Sequence, residues 1–98
     1  MIIDLTKFGT TLISRQTGRE AFLAFQPALK DVSKSEDIEI NFEGVLTFSP
    51  SCGDEFLTPL LNIYGKRLVL KNTSNPSVQA TLETLEKSNA KSFRKTPA

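Results

Sequence analysis

Ile38-Glu39-Ile40-Asn41-Phe42 alternates without a break, apolar at 38, 40 and 42 and polar at 39 and 41. Successive side chains of a strand point to opposite faces, so this stretch predicts a strand with one side on a core and the other in water. A parallel strand sandwiched between two helical layers would instead read as continuously apolar. The chain is therefore expected to be an α/β protein: a small sheet with its helices mainly on one face.

Downstream, Gly44-Val45-Leu46-Thr47-Phe48 reads as an apolar connection, and Ser49-Pro50-Ser51 opens a helix. Phe56, Leu57, Leu60, Leu61 and Tyr64 recur in that helix at helical spacing. Two cap registers fit its start: Ser49 with Pro50 at the first helical position, or Ser51 with Asp54. Pro59 is expected to bend or shorten it, and Gly65 to stop it. Arg67-Leu68-Val69-Leu70-Lys71 then reads as a buried strand and Asn72-Thr73-Ser74-Asn75 as a loop. Asn75-Pro76 is a cap followed by a first-turn proline, opening a last helix with Val78, Leu82 and Leu85 on one face and Ala80 and Thr81 as further candidates for it. That pattern fades after Glu86, so residues 87–98, basic and sparsely apolar, are expected to fray.

Upstream, Ser33 to Asp37 is a polar loop. The helix before it carries Ala21, Phe22, Phe25 and Leu29 as its stripe, and Thr17 with Glu20 form a capping box at its start. Pro27 removes one helical hydrogen bond, and a kink is expected there because Leu29 and Val32 continue the stripe. Met1–Leu5 and Thr10–Ser14 read as two short strands joined by a turn at Lys7-Phe8-Gly9, a hairpin. The order is ββαβαβα in a single domain, residues 1–98.

The inventory of reactive side chains is thin. Among 98 residues there is no histidine and one cysteine, which removes His-based nucleophile systems, an internal disulfide and a thiolate zinc cluster. Neither a GxGxxG nor a P-loop nor a DxDxDG calcium loop is present. No cofactor or metal is expected, and an enzyme is the least favoured class. Without a long apolar run or a leader-like start, the chain is expected to be soluble and cytoplasmic. A net charge of +1 conceals an asymmetry: residues 31–55 hold seven acids against Lys34, residues 56–98 seven bases against Glu83 and Glu86. The basic tail lacks the aromatic interleaving of a nucleic-acid arm.

Chemistry-bearing residues gather where the second helix begins. Cys52 has two readings, a buried structural thiol or a thiolate favoured by the helix N-terminus and opposed by Asp54 and Glu55. Ser51 is a cap or a phosphate acceptor, with Ser49 and Thr47 weaker candidates for the second role. Asp54 and Glu55 point about 100° apart as neighbours on a helix, which argues against convergence on a substrate. They complement the macrodipole, or Asp54 clamps Arg15 of the first helix.

Ile13-Ser14-Arg15 ahead of Ala21, Ile40-Asn41-Phe42-Glu43-Gly44-Val45, Ser51-x-x-Asp54-Glu55-Phe56, and Asn72 and Asn75 ahead of Val78-Gln79 together resemble the STAS-like family of unknown function. That family is similar to STAS domains, the anti-sigma-factor antagonists among them. The resemblance spans residues 10–86 and implies a mixed sheet with helices mainly on one side. It also implies a non-catalytic regulatory module that binds a histidine-kinase-like ATPase. Antagonists of that kind are phosphorylated on a hydroxyl at the start of the second helix. Their aspartate, two serines and glycine align here with Pro50, Ser51, Cys52 and Gly53, so the acceptor position holds a thiol. The expected contact surface is Ser49, Ser51, Cys52, Asp54 and Glu55, facing a protein partner. A small-ligand or nucleotide sensor, and a structural subunit dimerising through the N-terminal hairpin, are the other readings. Neither a membrane nor nucleic acid is expected as partner.

Overall fold

A computed structural model describes residues 1–96. In chain order its elements are β1 (Ile2–Asp4), β2 (Thr11–Leu12), α1 (Arg15–Leu29), β3 (Ile38–Asn41), β4 (Thr47–Phe48), α2 (Pro50–Tyr64), β5 (Leu68–Leu70), α3 (Pro76–Asn89) and β6 (Arg94–Lys95). The main sheet runs β1-β3-β5-β6, and β2 pairs with β4 in a second, two-stranded ladder. All four pairings are parallel, with Ile3 opposite Ile40, Ile40 opposite Leu70, Val69 opposite Arg94 and Leu12 opposite Phe48.

Each return to the main sheet passes through one helix and adds its strand beyond the last. Parallel crossovers are right-handed, so three that advance in one direction leave all three helices on one side. The alternation at 38–42 is the imprint of this arrangement. Ile3, Ile38, Ile40, Leu68 and Leu70 are fully buried beneath the helices, whereas Ile2 on the reverse face is 60% exposed. Burying side chains of this size stabilises by roughly 1.5–3 kcal/mol each.

Several expectations are corrected. The N-terminal residues form no hairpin: β1 joins the main sheet while β2 joins the other ladder. The residues between them are used for packing. Leu5–Phe8 makes a 3₁₀ turn that buries Leu5 and sets the Phe8 ring edge-on to Phe25, centroids 5.5 Å apart. Gly9, at φ 119°, redirects the chain in a conformation that side chains disfavour. With no hairpin, no pair is antiparallel among the described residues, so the sheet is parallel rather than mixed.

The first helix is not opened by Thr17 and Glu20. Ser14 is its cap, accepting from the Thr17 N–H at 3.0 Å, and the helix continues past Pro27 to the buried Leu29. Leu23 and Pro27 are both exposed, so water can serve the Leu23 carbonyl that the proline leaves unpaired. Of the two registers for α2, Ser49 with Pro50 at the first position holds, and Pro59 does not shorten the helix.

The tail, expected to fray, is docked as far as Thr96; residues 97–98 lie outside the described residues. Helix α3 continues to Asn89 and ends on Ala90, a left-handed residue at φ 52°. Phe93 then inserts into the core, its N–H donating to Glu86 Oε2 at 2.9 Å, and β6 pairs with β5. One buried aromatic and an open strand edge outweigh the polar composition that suggested fraying.

Candidate functional site

Helices α1, α2 and α3 all begin at the carboxyl ends of the strands, capped by Ser14, Ser49 and Asn75. Ser49 is committed twice. Its Oγ accepts from the Cys52 N–H at 3.1 Å and donates to the Ile13 carbonyl at 2.7 Å, tying the start of α2 to the chain entering α1. A hydroxyl engaged as both donor and acceptor is poorly placed to receive phosphate. Ser51, half-buried in the first turn, has no hydrogen-bond partner among the described residues and is the open hydroxyl of the group.

Cys52 turns inward. It is 2% exposed, and its backbone lies against Gly18 of α1 with no space for a Cβ there. Burial pushes the thiol up to about 11, so the neutral form dominates at physiological pH. Desolvation outweighs the helix N-terminus, and the structural reading of this cysteine holds over the reactive one. Gly53 is buried on the other side of α2, close to Thr81 and Leu85 of α3.

Asp54 and Glu55 do converge, on a cation rather than a substrate. Arg15 Nη1 donates to Asp54 Oδ2 at 3.0 Å and to Glu55 Oε1 at 3.3 Å, while Thr58 Oγ1 donates to Asp54 Oδ1 at 2.9 Å. The hydrogen bonds from Arg15 to Asp54, and then to Glu55, raise the guanidinium above its ordinary value. Angular separation along the helix was a poor guide because Arg15 reaches in from α1 and the longer Glu55 side chain folds towards it. The cluster is a solvent-exposed clamp between two helices, open to screening by salt.

Two features escape the sequence reading. Ser77 and Thr81, one turn apart on α3, close the outer edge of β4. Phe48 N–H donates to Ser77 Oγ at 2.9 Å, and the Phe48 carbonyl accepts from both Ser77 and Thr81. Helix hydroxyls standing in for a strand leave no pattern beyond an i, i+4 Ser/Thr pair. The second feature is the apolar rim: Ile13 is 56% and Leu46 68% exposed, both next to residues of the β2–β4 ladder. Their exposure follows from the parallel ladder, which the hairpin reading did not contain.

The surface thus combines a rigid helix start, one open hydroxyl, a clamped acidic pair and exposed aliphatic groups. A hollow of about 730 Å³ lies beside it between residues 41–45 and 71–76, lined by Asn41, Lys71, Asn72 and Thr73 among others. The nearby α3 N–H groups are already taken by Asn75 Oδ1, at 2.8 Å from Ser77 and 3.2 Å from Val78. A strand order that never reverses also lacks the switch-point crevice where open α/β sheets hold nucleotides.

Compared with family models, curated proteins and solved structures, the chain matches none. Among the described residues, no helix is long and apolar enough to cross a membrane.

Proposed function

We propose that this chain is a non-catalytic regulatory module of STAS-like type, which docks a histidine-kinase-like ATPase or a similar signalling protein through the start of α2. The observation that carries the reading is the combination of rigidity and exposure at that turn. Ser49 fixes it to Ile13 and Cys52 anchors it in the core, while Ser51, Asp54, Glu55 and the Ile13 side chain remain in contact with solvent. A preorganised rim with an aliphatic contact beside charged groups suits protein recognition, because little ordering entropy is lost on binding. Of the expected contact residues, Ser51, Asp54 and Glu55 would meet the partner, Ser49 would position them, and Cys52 would act only by packing.

Titration calorimetry against a purified histidine-kinase-like ATPase tests the reading. Ile13→Ser and Asp54→Ala are each expected to weaken association about tenfold or more, equal to about 1.4 kcal/mol. Ser51→Asp, which adds charge next to two carboxylates, is expected to alter affinity, whereas Leu23→Ser on the exposed side of α1 leaves it unchanged. Binding that ignores all three rim substitutions would remove the surface from consideration.

A further inference from the structure

At the opposite end of α2, between its C-terminus and the turn joining α3 to β6, lies a second cavity of about 320 Å³. Leu61, Gly65, Lys66, Lys91, Ser92 and Arg94 line it. We infer that this cleft binds a small phosphate-bearing anion.

Lys66, Lys91 and Arg94 line the cleft and no carboxylate does; Arg94 also borders the neighbouring hollow, where Asp37 lies. Lys66 Nζ has no partner among the described residues, and Lys91 Nζ donates to the neutral Asn62 Oδ1 at 3.2 Å. Arg94 uses only Nη1, towards Asp37 at 3.3–3.4 Å and the Lys66 carbonyl at 3.2 Å, leaving Nε and Nη2 without described acceptors. With Asp37 counted against Arg94, the lining carries two uncompensated positive charges, which match a phosphate dianion. The Ser92 hydroxyl, also without a described partner, adds a neutral donor.

Helix C-termini ordinarily repel an anion, and here three of their carbonyls, those of Leu61, Glu86 and Lys87, are turned to capping N–H groups. Gly65 N–H donates to Leu61 O, Ala90 N–H to Glu86 O and Lys87 O, and Lys91 N–H to Glu86 O. The left-handed Ala90 reverses the chain after α3 and brings Lys91 and Ser92 to the mouth of the cleft. Leu61 and the lysine stems give it an apolar floor. The volume is at the low end of small-molecule pockets, so a compact phosphomonoester fits better than a nucleotide. The cleft lies about 20 Å from the start of α2, a 15-residue helix away, and is independent of the docking rim.

The probes are inorganic phosphate and glycerol 3-phosphate, titrated into isotope-labelled protein at constant ionic strength, with chloride as control and amide shifts as readout. Saturable shifts confined to residues 65–67 and 91–94 are expected. The Lys66→Ala/Lys91→Ala double variant is expected to lose about tenfold or more in affinity, with its remaining spectrum unchanged, while Lys66→Arg keeps binding. Equal shifts with chloride, shifts scattered over the surface, or full affinity in the double variant would overturn the inference. So would binding to phosphatidic-acid vesicles with no response to either soluble phosphate. The double variant leaves ATPase association at the α2 rim untouched, which separates the two proposals.

Discussion

Gly18 of α1 lies against the backbone carbonyl of Cys52 on α2, and a methyl group cannot be placed between them. The obstacle is backbone, which cannot rotate away as a side chain can. Alanine improves helix propensity by about 1 kcal/mol, yet overpacking here is expected to prevail. Gly18→Ala should lose about 1–3 kcal/mol net, with a melting midpoint lower by several degrees. Gly53→Ala meets side chains instead, Thr81 at 2.9 Å, Leu85 at 3.0 Å and Phe48 at 3.2 Å, which can yield where backbone cannot, so it should lose less than Gly18→Ala, about 1 kcal/mol. Thermal melts of the two variants check the contrast; equal behaviour would contradict it.

Cys52 links stability to alkaline pH. The folded thiol titrates near 11 against an ordinary 9.0, so on deprotonation the unfolded chain loses its proton first. Stability held by the buried neutral thiol is complete below pH 9 and falls as pH rises from about 9 to about 11. The loss is on the order of 2 kcal/mol. Urea denaturation of wild type and Cys52→Ala across that range should show a steeper decline for wild type. Alkylation of the native thiol at pH 8 should be slow, accelerating only when the chain unfolds.

Thr81 contributes through one oxygen. It is buried, and its hydroxyl donates to the Phe48 carbonyl, which Ser77 also serves. Thr81→Val keeps the shape and leaves that carbonyl one donor, for an expected cost of about 1 kcal/mol by denaturant unfolding. Combining it with Ser77→Ala should cost more than the two single changes together, since the carbonyl then has neither hydroxyl.

Phe93 determines whether the C-terminal segment stays docked. Phe93→Ala is expected to destabilise by about 3–5 kcal/mol and to release β6, seen as faster amide exchange at Thr96. Ala90→Gly should instead gain about 0.5–1 kcal/mol, because the left-handed turn costs alanine more than glycine.

Much of this was legible in the sequence where one local rule acted alone. Ile38–Phe42 gave the covered and uncovered faces, Gly65 ended α2, and Asn75-Pro76 opened α3, because period, positive φ and capping are short-range effects. The reading failed where a distant partner decided. Leu5 reads as the end of a strand and Phe8 as turn material, yet the core takes both in a 3₁₀ turn; Arg94 and Lys95 read as loose chain, yet the β5 edge and the Phe93 pocket hold them. At the candidate site, Ser49 over Ser51 as cap was one of two open registers. The clamp of Asp54 on Arg15 is one of two readings of the sequence and is the one observed; that Glu55 joins it depends on the separation between two helices, which sequence spacing does not encode.

The one-way order β1-β3-β5-β6 also bears on how the molecule is made. A chain emerging amino end first can lay each new strand beside one already seated, without inserting between finished neighbours. The exposed seam moves outward with synthesis and comes to rest on Leu68-Val69-Leu70, the most apolar strand of the four. Until Arg94 and Lys95 arrive, that seam is a bare template for self-association, and two charged residues then seal it.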